Sequence, residues 1–379
     1  MRRMFSTSAT VIALLTASGL AQQAGSAGPY KILKTAKVGG DGGFDYIYAD
    51  VAARRIYIPR GGQRGAPATD TTPAVPATPG RITIFDLDTI APLGEIPDTG
   101  GNGVAVDPKS GHGFSSSSPV PMFDTKTLKV IKKIEVGGPR PGGGPVARPD
   151  GILFDAFNDH VYVFSHPTKD AIVIDSKEGT VVGTIDLGGV PEQAVADGRG
   201  MMWVVMQDAQ GSVTAVDVKT MKATAHYPLG DVGGCNGLAL DDKNHVLFAA
   251  CAISGNPPAQ PPQPTMVILS ATDGKILARL PLAGGSDGAA FNPSTMEAFS
   301  THGNGTLTIV KENSPTSFEV EQNLQTMNGA RTITFDSRTN HILTMSIERG
   351  PATPPPPGGG RGTPGAPVPG SFSILVIGK

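Results

Sequence analysis

The sequence predicts an all-β protein, a seven-bladed β-propeller with four-stranded antiparallel blades, on three observations. The 379 residues include 50 Gly and 34 Pro with only 17% charge, a composition of short strands and turns rather than long helices. One strand-and-turn pattern recurs seven times at a period near 48 residues. The first strand-like segment has the form of the strand that the final unit lacks.

The clearest unit is the stretch 150–189. It holds four apolar runs, Ile152–Phe154, Val161–Phe164, Ala171–Ile174 and Val181–Ile185, separated by Asp, Asn, Gly, Pro or Lys and closed by Gly-Gly. No helix fits between runs so closely spaced. Aligning on this unit gives an anchor of two polar residues five positions apart. The pairs are Asp45/Asp50, Asn102/Asp107, Asp150/Asp155, Glu192/Asp197, Asn236/Asp241, Asp287/Asn292 and Arg331/Asp336. Second strands follow the turns, as at Arg55–Ile58, Met202–Val205 and Val246–Ala250, and third strands such as Ile82–Asp86, Ile172–Asp175 and Val213–Asp217 come next. Fourth strands lead to Gly-Gly at Ile134–Gly138, Ile185–Gly189 and Leu280–Gly285. The unit after Arg331 has two strands and a third, Phe372–Ile377, but no fourth. The segment Tyr30–Gly40 (YKILKTAKVGG) has a fourth strand's form, so the N-terminal strand completes the C-terminal blade and pairs its open edge.

Residues 22–379 therefore read as a single propeller domain, with insertions at about 60–80, 254–264 and 349–370 between second and third strands. Rich in Pro, Gly, Ala, Gln and Thr, they are expected as loops on the face where the innermost strands begin. Ahead of the domain, Met1-Arg2-Arg3, a short apolar run around Val11–Leu15 and small residues to Ala21 describe a signal peptide over 1–21. No Cys follows to take a lipid, so a periplasmic or secreted protein is expected, without a membrane span and as a monomer. A net charge of −2 excludes a general attraction to nucleic acid.

Units such as HVYVFSHPTKDAIVIDSKEGTVVGTIDLGG and RRIYIPR…RITIFDLDTIAPLGEI resemble the YVTN-type repeats of YncE-like seven-bladed propellers. The resemblance spans the mature chain and is strongest in blades one, three and four; FSSSSPVPMFD in blade two and EAFSTHGNGTLTIV in blade six depart from it. It implies fold and export. Because fold does not fix function, it leaves a protein or a small molecule as ligand of a binding scaffold.

The first anchor of each pair, Asp45, Asn102, Asp150, Glu192, Asn236, Asp287 or Arg331, converges on the mouth of the central channel. Two readings stand. These side chains cap strand ends and bond neighbouring loops, with Arg331 neutralising them. Alternatively Asp45, Asp150, Glu192 and Asp287 ligate a divalent cation such as Ca²⁺, as oxygen-rich rings do, and a bound water serves a hydrolase or lactonase. His166 and His302 follow second strands on the same face, as ligands or a base. No catalytic motif accompanies them, and Ser115–Ser118 lacks a nucleophile-elbow context. Single-strand DNA binding would need a basic groove with exposed aromatics, which the chain does not show. Cys235 and Cys251 flank one hairpin, so either a cross-strand disulfide or a reduced buried pair is expected.

Overall fold

The structure, a computed structural model, describes residues 28–379 apart from 63–64, 66, 69–72, 75, 138–143, 255–262 and 353–363. The signal-peptide segment 1–21 and parts of the three insertions lie outside the described residues. Twenty-eight strands form seven four-stranded antiparallel sheets, with no helix among the described residues. The N-terminal strand β1 is Lys31–Lys37. Blade one is β2 (Tyr48–Asp50), β3 (Arg55–Arg60), β4 (Arg81–Asp86) and β5 (Pro92–Pro97). Blade two is β6 (Val104–Asp107), β7 (His112–Ser115), β8 (Val120–Asp124) and β9 (Lys129–Ile134). Blade three is β10 (Pro149–Asp155), β11 (His160–Ser165), β12 (Asp170–Asp175) and β13 (Val181–Asp186). Blade four is β14 (Pro191–Ala196), β15 (Met201–Met206), β16 (Ser212–Asp217) and β17 (Lys222–Pro228). Blade five is β18 (Val232–Asp241), β19 (Val246–Ser254), β20 (Thr265–Ser270) and β21 (Ile276–Pro281). Blade six is β22 (Ser286–Asn292), β23 (Glu297–His302), β24 (Thr306–Ser314) and β25 (Ser317–Gln325). Blade seven runs β26 (Ile333–Asp336), β27 (His341–Ser346), β28 (Ser373–Gly378) and then β1, so the N-terminal strand closes the ring.

The second and third strands of each blade are buried and the fourth is largely exposed, as β11, β12 and β13 show. Apolar clusters fill the wedges between neighbouring blades, such as Tyr162, Phe164 and Val173 with Met202, Val204 and Val216. The second anchors hold the hairpin turns on the far face. Asp107, Asp155, Asp197, Asp241 and Asp336 each accept a hydrogen bond from the backbone N–H two residues on, the Asx-turn geometry that makes this column structural.

Closure is fastened at both faces. The Arg60 guanidinium, 1% exposed, lies 3.8 Å from the Phe372 ring centre and donates to the carbonyls of Gly40 and Gly42. Burial lowers its pKa to about 10, still charged at neutral pH. On the other face Arg54 of blade one reaches Asp336 of blade seven at 2.7 Å. The hairpin of blade five sets Cys235 opposite Cys251, and the two are joined as a disulfide. All three insertions leave from second-to-third strand connections, β3 to β4, β19 to β20 and β27 to β28. The last begins by pairing with itself, Gly350 N–H donating to Ala366 at 2.9 Å.

Candidate functional site at the channel mouth

All seven first anchors join one arc of hydrogen bonds and ion pairs around the axis, with Arg331 linking Asp45 to Asp287. Arg331 Nη2 lies 3.2 Å from Asp45 and its Nε 3.0 Å from Asp287. Asn236 Nδ2 donates to Asp287 at 3.0 Å. Gln207 Nε2 donates to Glu192 Oε1 at 2.5 Å and reaches Asn236 Oδ1 at 3.5 Å. His166 Nε2 stands 3.0 Å from Asp150 Oδ2 and 3.4 Å from Glu192 Oε1, and Asn102 Nδ2 donates to Asp150 Oδ1.

The four carboxylates thus divide in two. Asp45 and Asp287 share the Arg331 guanidinium. Asp150 and Glu192 face His166, and one ligand atom from each of these three residues lies within 4.8 Å of the others. His166 Nε2 is buried and, despite its two carboxylate neighbours, makes no hydrogen bond of good geometry. One imidazole nitrogen and two carboxylate oxygens this close together are a donor set of the kind that holds a divalent cation. His302 does not join them. It is fully buried, its Nδ1 sits 2.9 Å from Thr306 Oγ1, and burial lowers its pKa to about 4. Register explains the difference. His302 pairs opposite Ser286, the position that Ser165 takes opposite Pro149 in blade three. His166 is one residue further on, and a one-residue step turns a side chain to the other face.

Three residues that bond into the site escape the repeat reading. Tyr46, Gln193 and Gln207 are absent from the anchor column, yet two of them lie immediately after it. The residues following the anchors are Tyr46, Gly103, Gly151, Gln193, Gly237, Gly288 and Thr332. Four glycines in a column beside two long polar side chains is a legible signal of an axis too narrow for seven side chains. Tyr46 of blade one crosses to donate its hydroxyl to Glu192 Oε2 of blade four at 3.2 Å. Gln193 donates to Ala289 O at 2.8 Å and accepts from the N–H groups of Ala289 and Leu238 at 2.9 and 3.1 Å. These side chains cross the axis next to the anchors, so the mouth is a floored cup rather than an open pore. Gln207 follows β15 where His166 follows β11, each one residue past the pair Met206/Pro191 or Ser165/Pro149.

Burial, then the neighbouring Asp150 charge, raises Glu192 to about 8 and Asp45 to about 7. Asp287 is raised chiefly by burial, with Arg331 opposing. His166 is raised chiefly by its contact with Asp150, and the Tyr46 phenol is pushed up by burial and Glu192. The metal-free cup therefore holds protons near neutral pH that the unfolded chain has released. Stability from a raised carboxyl is full below its unfolded pKa and lost as pH rises through the folded one. His302 opposes this only below about 6.5, where the unfolded histidine charges. Metal-free protein should accordingly lose stability from pH 6.5 to 8.5, by about 1.4 kcal/mol per pH unit for each proton held. Urea titrations in EDTA across that range would show it, and a flat profile would contradict it.

Beside the triad is a cavity of about 450 Å³ lined by Gly101, Asn102, Ser116, Ser117, Ser118, Arg148, Pro149, Asp150 and His166. It opens between blades two and three and ends against two of the three converging residues.

The fold and this axial site define a seven-bladed β-propeller with a polar, floored mouth. No family model matches the chain, and no curated protein matches it. Among solved structures it is similar to a chain of "Kuenenia stuttgartiensis Hydrazine Synthase", at 13% identity, TM-score 0.63, covering 81% of this chain and 94% of that one. It is also similar to a chain of "Crystal Structure of Mitotic Checkpoint Complex", at 9% identity, TM-score 0.62, covering 90% and 95%. These likenesses show the propeller fold. Among the described residues no helix is long and apolar enough to cross a membrane.

Proposed function

We propose that the protein is an exported, YncE-like binding propeller whose channel mouth holds a divalent cation between Asp150, His166 and Glu192 and presents it to a ligand. The observation that carries this reading is the convergence of one imidazole nitrogen and two carboxylate oxygens within 4.8 Å, beside an open cavity. The YVTN-type repeats and the signal-like segment 1–21 support the family and the export. A mixed nitrogen and oxygen donor set suits Mn²⁺ or Zn²⁺ better than the all-oxygen preference of Ca²⁺. Gln207 and Tyr46 orient Glu192, and Asn102 orients Asp150, the outer contacts a ligand set needs.

The test is a thermal melt of residues 22–379 in EDTA and then with Mn²⁺, Zn²⁺, Ca²⁺ or Mg²⁺. A cation at about a hundred times its dissociation constant adds about 2.7 kcal/mol to the native state. A rise of several degrees with Mn²⁺ or Zn²⁺ is expected, and its loss in the Asp150→Asn/His166→Gln double variant. It should grow from pH 6 to 8, because metal displaces the protons on Glu192 and His166. No shift with any of the ions, together with metal-free protein by elemental analysis, would sink the reading. A second reading, metal-dependent hydrolysis, draws on Asp45, whose carboxyl exchanges its proton near pH 7 on the same ring. Turnover of a lactone by the Mn²⁺-loaded protein would decide for it.

A further inference from the structure

The cavity beside the triad has a charge pattern that selects its ligand. Arg148 is exposed, lines the cavity, and has no carboxylate partner among the described residues. Its backbone is fixed by the bond from its N–H to Ser165 Oγ at 3.0 Å, where the chain enters β10. By contrast Arg54, Arg199 and Arg331 are each spent on carboxylates. The Ser118 hydroxyl on the same wall has no partner among the described residues, whereas those of Ser116 and Ser117 are bound to the carbonyls of Asp150 and Pro119. The cavity volume is in the range of small-molecule sites.

Without a cation, the Asp150 carboxylate on the cavity wall disfavours an anion at that end. A divalent cation held between Asp150, His166 and Glu192 reverses the sign of that end, and Arg148 leaves the cavity net positive. We propose that the cavity binds a small carboxylate, one oxygen on the cation held by Asp150, His166 and Glu192 and another on the Arg148 guanidinium, with the Ser118 hydroxyl as a further donor. This rests on the metal reading above and goes beyond it by naming the ligand class. A guanidinium is suited to the task because its planar fork matches a carboxylate. Binding of cation and carboxylate is then coupled, and each raises the affinity for the other by the same factor.

Isothermal titration with succinate, a weak chelator, tests this on Mn²⁺-loaded protein, on EDTA-treated protein and on Arg148→Met, with inorganic phosphate in parallel. Succinate should bind the loaded wild type, bind Arg148→Met at least tenfold more weakly, and give no heat with metal-free protein. Mn²⁺ should bind Arg148→Met no more weakly than wild type, since Arg148 is outside the donor set and its positive charge, felt at His166, only opposes a cation. Succinate binding that is equal with and without Mn²⁺, or equal in wild type and Arg148→Met, would overturn the proposal, as would phosphate binding tighter than succinate. If Mn²⁺ binds and neither anion does, the carboxylate site falls and the metal site stands. If Mn²⁺ itself does not bind, both fall.

Discussion

Removing residues 28–38 is expected to abolish the cooperative melt of the protein. The strand β1 is largely exposed, so its importance does not come from its own burial. It comes from what it covers and from Tyr30 just ahead of it. β1 pairs with β28 from Lys31/Gly378 to Lys37/Ser373, and without it that ladder becomes an open edge. Tyr30, 3% exposed, packs edge-on against Phe299 of blade six at 5.5 Å, and its hydroxyl donates to the fully buried Glu297. Lys379 Nζ meets the other oxygen of Glu297 at 2.7 Å, so one carboxylate in blade six holds the adjoining start of β1 and end of β28 in the blade beside it. Gln322 adds two bonds of 2.9 Å to the backbone of Tyr30.

The loss is therefore one large buried aromatic, worth about 3–5 kcal/mol, plus a carboxylate left buried without one of its partners and a ladder of backbone bonds at about 1 kcal/mol each. Together these match the whole stability of an ordinary domain, about 5–15 kcal/mol. Size-exclusion chromatography of residues 39–379 should show aggregate, and near-ultraviolet circular dichroism should lose its structure. A synthetic peptide of residues 28–38 added in trans should restore both in part. A truncated protein that stays monomeric and melts within a few degrees of the full chain would contradict the role assigned to the closing strand.

That closure was legible in the sequence, because a strand with a Gly-Gly exit at one end of the chain and a unit lacking that strand at the other are complementary pattern facts. The seven-fold column of first anchors was legible for the same reason: a repeat puts equivalent residues at equivalent places on a ring. How those anchors pair was not. The ring divides between Arg331 and His166 because long side chains reach across blade boundaries, and a per-blade alignment carries no information on which neighbour each will choose. His166 and His302 look equivalent at the ends of their second strands, yet one faces the cup and the other is enclosed beside Thr306, since they differ by one residue in register. Arg148 carried no signal because it lies ahead of the repeat's first anchor, in a stretch whose length varies from blade to blade.

The column of glycines next to the anchors leads to the last expectation, that Gly237→Val costs the protein about 3 kcal/mol or more. The innermost strands β18 and β22 approach so closely that a Cβ at Gly237 would stand 2.8 Å from the carbonyl carbon of Gly288 and 2.9 Å from the backbone nitrogen of Ala289. Both are main-chain atoms of the next blade and cannot swing aside as a side-chain tip would. That same backbone nitrogen donates to Gln193 Oε1, so the displacement reaches the plug that floors the cup. Overpacking in a filled core costs about 1–3 kcal/mol, and valine adds two methyl groups to the clash of the Cβ itself. Gly43→Ala is the control, since a Cβ there meets nothing within 4 Å. Chemical denaturation of the two variants should separate them by at least 2 kcal/mol by this reasoning. Equal midpoints would mean that blades five and six can move apart freely, and that the glycine column does not set the radius of the ring. A variant that melts early yet keeps its Mn²⁺ response would place the strain away from Asp150, His166 and Glu192. Loss of that response in folded Gly237→Val protein would show that the spacing of the inner strands also holds the three donor groups in place.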